Sequence, residues 1–246
     1  MRVRKLTPLM KKYILAALLF TAIETQAQIN INSVLNTVNS ALGNGLSNDD
    51  IVKGLKEALN VGSNNASSNA SKMDGFYKNN LIKIPFPKEA SDMRNTLLRL
   101  GMKRQVDAFE KQLNRAAEDA AKKAAPIFVG AVSKMTINDG ITILRGKDDE
   151  ATQFLRKNTN TQLTNEFKPI IASSLRKVQI TKYWKPLITA YNKVPFVKKA
   201  NPNLEDYVTQ KATDGLFLLV AQEETKIRKD PAARVSDILK KVFGGK

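Results

Sequence analysis

The chain has 246 residues, 42% of them hydrophobic and 26% charged, a balance that suits a globular protein with enough apolar material for one or two packed cores. Cysteine and histidine are both absent, which excludes disulfides, thiol nucleophiles, Cys/His zinc sites, Ser-His-Asp triads and imidazole pH switches together. With 40 Lys+Arg against 23 Asp+Glu the formal charge is +17, which favours polyanions or anionic headgroups as partners without choosing among them.

The chain opens MRVRKLTPLMKKYILAALLFTAIETQA. Five cations (Arg2, Arg4, Lys5, Lys11, Lys12) precede or enter an apolar run from Tyr13 to Ala22, and Thr25-Gln26-Ala27 follows. This is the three-part layout of a secretory signal, with small residues at the two positions that a cleavage after Ala27 requires. A transmembrane anchor is the competing reading, but an apolar core of about ten residues is too short for about 30 Å of hydrocarbon. The expectation is therefore a cleaved signal peptide over residues 1–27 and an exported protein, periplasmic or secreted, beginning at Gln28. Its mature part holds no further stretch long and apolar enough to span a membrane, and it stays strongly basic after the signal is removed.

Residues 28–47 are polar and weakly periodic, a linker or a loosely held helix, and residues 48–246 form the main domain. Ser47 is an expected N-cap with Asp49 and Asp50 in the first turn, Ile51, Leu55 and Leu59 form one buried stripe, and Gly62 is the expected stop. SNNASSNAS (63–71) reads as a flexible loop; its two Asn-x-Ser triplets match a glycosylation acceptor only by a short, common pattern. Ile84-Pro85-Phe86-Pro87 forces extended backbone, so 74–87 is a connector with room for one short strand.

From Lys88 onward the pattern is helical. Met93, Leu97 and Leu100 make one stripe, broken at Gly101; Val106, Phe109, Leu113, Ala116 and Ala120 make the next, and Pro126 interrupts or restarts the helix. Further helices are expected near 127–135, 138–145, 149–158, 160–178, 180–193, 203–229 and 231–243. Asp230 caps the last of these, with Pro231 at its first position. The fold class is all-α, a single multi-helix domain after the signal.

Several stretches resemble a known family: GLKEAL (54–59), DGFYKNNLIKIPFP (74–87), NDGITILRG (138–146) with ATQFLRKNT (151–159), and above all YVTQKATDGLFLLVAQEETKIRKDPAARVSDILKKVFG (207–244). They are similar to the bacterial exported family known as domain-of-unknown-function 4197, over roughly residues 48–244. The resemblance implies an exported helical protein without an established activity, and it supplies no catalytic residues.

Three places invite a chemical reading. In NDGITILRGKDDE (138–150), Thr136 or Asn138 can cap a short helix, Gly146 can end it in a left-handed conformation, and Asp148 or Asp149 can cap the next. Every unusual residue then has a role in helix punctuation. The alternative is a ligand or cation site lined by Asp139, Arg145, Asp148, Asp149 and Glu150, but the alternating oxygens of a calcium loop are absent.

The second is the helix over 203–229, where Gly215 suggests a close helix crossing. A buried polar network of Asp139, Arg145, Asp214, Glu224, Arg228 and Arg234 is the structural reading. A carboxylate-based hydrolase is the catalytic one, although residues 214 and 224 lie about 15 Å apart along a helix axis.

The third is compositional. No Asp or Glu occurs from Phe167 to Leu204, whereas Lys182, Lys185, Lys193, Lys198 and Lys199 interleave with Tyr183, Trp184, Tyr191 and Phe196. Such a mixture suits an exposed surface for an anionic polymer or a membrane; the plainer reading buries Trp184 in the core beneath a solvated basic face. Nucleic acid is disfavoured by the export signal. The expectation is a non-catalytic binding protein with no cofactor and no metal, the alternatives being a helical pocket for a small molecule or lipid and the hydrolase.

Overall fold

The computed structural model describes residues 47–197 and 203–243. The expected signal peptide, most of the 28–47 linker, and Lys198 and Lys199 lie outside the described residues. Among those described there are nine α-helices and no strand, as the all-α reading requires. They belong to the unit Leu42–Lys246.

Helix α1 (Asn48–Ser71) begins with a capping box, in which the Ser47 hydroxyl accepts the Asp50 amide and the Asp50 carboxylate accepts the Ser47 amide. It does not stop at Gly62. The Asn/Ser-rich segment is its second half, because Ser63, Ala66, Ser67 and Ala70 recur on one face and are buried. Side chains this small let α1 lie close to α8 (Leu204–Lys229): a Cβ at Gly62 would sit 3.3 Å from the Glu223 Cβ. Asn65 on the flank donates to the Glu223 carboxylate at 3.0 Å.

After α1 come the connector, a 3-10 turn (Lys88–Ala90), α2 (Ser91–Arg99), α3 (Lys103–Ala121) and α4 (Ala124–Ser133). Pro126 is tolerated within the first turn of α4, where the amide it lacks has no intrahelical partner. Next are α5 (Ile137–Arg145) and α6 (Glu150–Lys177). The two helices expected at 149–158 and 160–178 are one, because Leu155, Thr159, Leu163, Phe167 and Ile171 form an unbroken buried row.

Helix α7 spans Ile180–Asn192, and α9 spans Asp237–Phe243. The helix expected over 231–243 is split. Asp230 does accept the Ala232 amide, but the turn Pro231–Ala233 is 3-10 and Arg234 leaves helical geometry. The buried Arg234 guanidinium instead turns back to donate to the carbonyls of Ile227 and Arg228, which the end of α8 leaves without amide partners.

Helix α8 is the centre of the core, packed on α6, α1 and α3. Leu216, Phe217, Leu219 and Val220 are buried in it, and Phe217 meets Phe128 of α4 edge-on with centroids 5.7 Å apart. Gly215 faces not another helix but the connector: a Cβ there would lie 3.0 Å from Phe76 Cε1 and 3.1 Å from Ile82 Cβ.

The connector has no strand partner, and α3 supplies one through side chains. Glu110, Asn114 and Glu118 stand at successive four-residue steps on one face, all buried. Glu118 accepts the amides of Phe76 and Tyr77, Asn114 accepts from and donates to the backbone of Ile84, and Glu110 accepts the Phe86 amide. Extended backbone is thereby buried with its polar groups satisfied.

Candidate functional site

Helix α7 has two faces of different character. Tyr191 (3% exposed) and Leu187 (fully buried) point inward, and the half-buried Trp184 ring stacks on Phe109 at 4.9 Å and meets Phe86 at 5.8 Å. Positions 184, 187 and 191 are one helical stripe. The reading that places Trp184 and Tyr191 on a recognition surface is corrected accordingly: Trp184 closes an aromatic cluster with Phe86 and Phe109, and Tyr191 is buried on the same side of the helix. Tyr183 is half-buried beside them.

The opposite stripe carries Lys182, Lys185 and Lys193, all exposed. Among the described residues none of the three has an ion-pair partner, whereas Lys168 pairs with Asp206 at 2.6 Å; that hydrogen bond raises the Lys168 ammonium above its ordinary 10.5. The three lysines rim an open groove of about 950 Å³ between α7 and the end of α2. Its apolar part is Leu100, Pro186, Ala190, Val194 and Pro195. Leu100 is 53% exposed, and Phe196, the residue after Pro195, is fully exposed with φ of 62°. Of these positions only Phe196 stands out by aromatic content; Pro186 is legible as outward-facing once the phase of α7 is fixed by Trp184, and Leu100, expected in one stripe with Met93 and Leu97, is instead exposed just past the end of α2 while those two are buried.

The polar residues expected to form one network are distributed. Glu224 sits under the start of α6: one oxygen accepts the Ala151 amide (3.0 Å) and the Arg228 guanidinium (2.8 Å), and the other accepts the Thr152 amide and hydroxyl, both at 2.8 Å. Arg228 donates onward to the Ile143 carbonyl at 3.0 Å, and Arg234 caps α8 beside it. Asp139 lies apart, in a capping box with Thr136. Asp214 pairs with Arg156 at 3.0 Å, both about half exposed, and Arg145 occupies the last turn of α5.

The acids of the 148–150 run take separate partners: Asp148 pairs with Lys229 at 2.6 Å, Asp149 accepts from Gln153, and Glu150 accepts the Lys147 amide. Gly146 is extended, not left-handed (φ −73°, ψ −171°); glycine is required because a Cβ would lie 2.2 Å from the Glu150 side chain. Among the described residues no three acids are grouped as a metal site would need.

A family model described as "Protein of unknown function (DUF4197)" matches residues 45–244, the whole helical unit including the α7 face and the Glu224 cluster. The chain belongs to this family. No curated protein and no solved structure matches it. For a member of DUF4197 whose family carries no assigned chemistry, the geometry itself must separate the possible roles. The cavity beside Glu224 and Arg228 measures about 20 Å³, room for about one water and far below the few hundred Å³ of a ligand pocket. Glu224 has both oxygens committed to α6 and Arg228, so it and Asp214 do not assemble an acid/base pair. Among the described residues no single helix is long and apolar enough to cross a membrane.

Proposed function

We propose that this protein is a non-catalytic, exported helical module that binds an anionic partner through the outer face of α7. The observation that supports it is the set of three exposed lysines, Lys182, Lys185 and Lys193, with no acidic partner among the described residues, beside an open groove. Some surface cations elsewhere are neutralised, as in Lys168–Asp206, Lys229–Asp148 and Lys122–Asp119; what sets the three α7 lysines apart is their place on the rim of the groove. Export rests on the basic, apolar and small-residue order of residues 1–27, and the mature protein then starts at Gln28.

A polyanion column tests the binding. Each phosphate neutralised releases counterions, so retention on immobilised polyphosphate falls steeply with salt. Changing Lys182, Lys185 and Lys193 together to Gln should move elution to much lower salt. Unchanged elution of that variant removes the proposal.

A further inference from the structure

We infer that the partner of the α7 groove is the surface of an anionic lipid bilayer. This rests on the anionic-partner reading and specifies it.

A single-stranded nucleic acid adds to its phosphate contacts by stacking its bases on flat aromatic faces, and a polysaccharide stacks its sugar rings in the same way. Most rings of this segment are turned away from that role: Trp184 lies on Phe109 and Phe86, Tyr191 is buried and Tyr183 is half-buried, which leaves Phe196 as the one fully exposed ring. The groove is lined by aliphatic groups (exposed Leu100 and Pro186, half-buried Ala190 and Val194), with Thr181 and Thr189 among them and cations spaced along the rim. An apolar strip edged by lysines is the pattern of a helix lying in a membrane interface, where the strip enters the acyl boundary and the ammonium groups meet phosphates.

Phe196 adds an independent observation. A bulky residue in left-handed backbone is uncommon and strained, and here the ring is fully exposed next to the groove and gains no burial that would offset the strain. A ring presented in this way is placed to enter an apolar phase outside the protein.

Co-sedimentation with phosphatidylcholine vesicles, with and without phosphatidylglycerol, is the test. The chain from Gln28 is used, because the unit Leu42–Lys246 holds its described core within itself and the apolar run at 13–22 must be kept from the lipid. Binding is expected only when phosphatidylglycerol is present. The triple Lys182→Gln, Lys185→Gln, Lys193→Gln variant should lose about a hundredfold in affinity, about fivefold for each lysine near an acidic surface. Phe196→Ser should lose about tenfold, and the loss should persist at high salt while the lysine effect shrinks. Both sets of changes lie on the surface, and an unchanged melting temperature checks that each variant is folded. If the protein binds polyphosphate in a lysine-dependent way but ignores acidic vesicles, or if Phe196→Ser leaves vesicle binding intact, the lipid inference falls and the anionic-partner reading stands. If neither polyphosphate nor acidic vesicles retain it, both fall.

Discussion

Asn114 holds Ile84 by both of its backbone groups: the side-chain oxygen accepts the Ile84 amide at 2.8 Å, and the side-chain nitrogen donates to the Ile84 carbonyl at 2.8 Å. One amide side chain on a helix thus does for the connector what a neighbouring strand does in a sheet. Asn114→Ala leaves two buried backbone groups without partners, at about 1–3 kcal/mol each. We expect a loss of about 3 kcal/mol in urea unfolding. A loss under about 1 kcal/mol would mean that water replaces the side chain.

Glu224 joins α8 to the start of α6 through Ala151 and Thr152, with Arg228 as its counter-ion. Removing one member of a buried ion pair is far costlier than removing both, because the survivor stays charged and unpaired. Glu224→Gln should therefore destabilise by about 3 kcal/mol. The double variant Glu224→Gln, Arg228→Met should cost clearly less than the two single variants added together, a coupling that a thermodynamic cycle from denaturation measures directly.

Two glycines in helix interiors should respond oppositely to alanine. Gly130 has open space where a Cβ would go, so Gly130→Ala should stabilise by about 0.5–1 kcal/mol through backbone entropy. At Gly215 the same gain is opposed by contact at 3.0 Å with Phe76 and 3.1 Å with Ile82. Overpacking of that kind costs about 1–3 kcal/mol, so Gly215→Ala should be net destabilising. Melting temperatures that move in the same direction for both would refute this account of the connector's approach to α8.

Hydrogen bonds from Lys122 and Ser174 hold the Asp119 carboxyl below its ordinary 3.8. A carboxyl lowered on folding adds stability that is complete above its unfolded value and disappears as pH falls through the folded one. Wild type should accordingly melt above Asp119→Asn at neutral pH, with the gap closing below about pH 4. A gap that stays constant into acid would show that packing, not charge, is what the substitution disturbs.

Much of the fold was legible because periodicity and capping chemistry agree. Ser47 and Thr136 cap as their sequences require, and Leu55, Phe109 and Leu113 lie in the core where their stripes place them. The Asn/Ser run at 63–71 misleads for a physical reason: a helix that crosses its neighbour closely selects small side chains, and small side chains carry no hydrophobic period. The break expected near 159 fails similarly, since Thr159 is buried with its hydroxyl bonded to the Leu155 carbonyl and so continues an apolar row while looking polar.

At the candidate site, composition alone identifies the segment but not its orientation. Lysines and aromatics are mixed along residues 182–193, yet on a helix they sort by phase, with 184, 187 and 191 on one side and 182, 185 and 193 on the other. The Glu110, Asn114 and Glu118 row carried a similar signal. Polar residues four apart, beside an apolar stripe and one short helix after a Pro-bound extended stretch, are what a helix needs to receive that stretch.

Trp184 is the chain's one tryptophan, and it sits on the reverse side of the helix whose lysines face solvent. The protein therefore contains its own fluorophore, shielded from whatever touches the opposite surface. Emission that stays constant as the outer face is engaged would report a helix still seated on the aromatic cluster, and a red shift would report that it has come away.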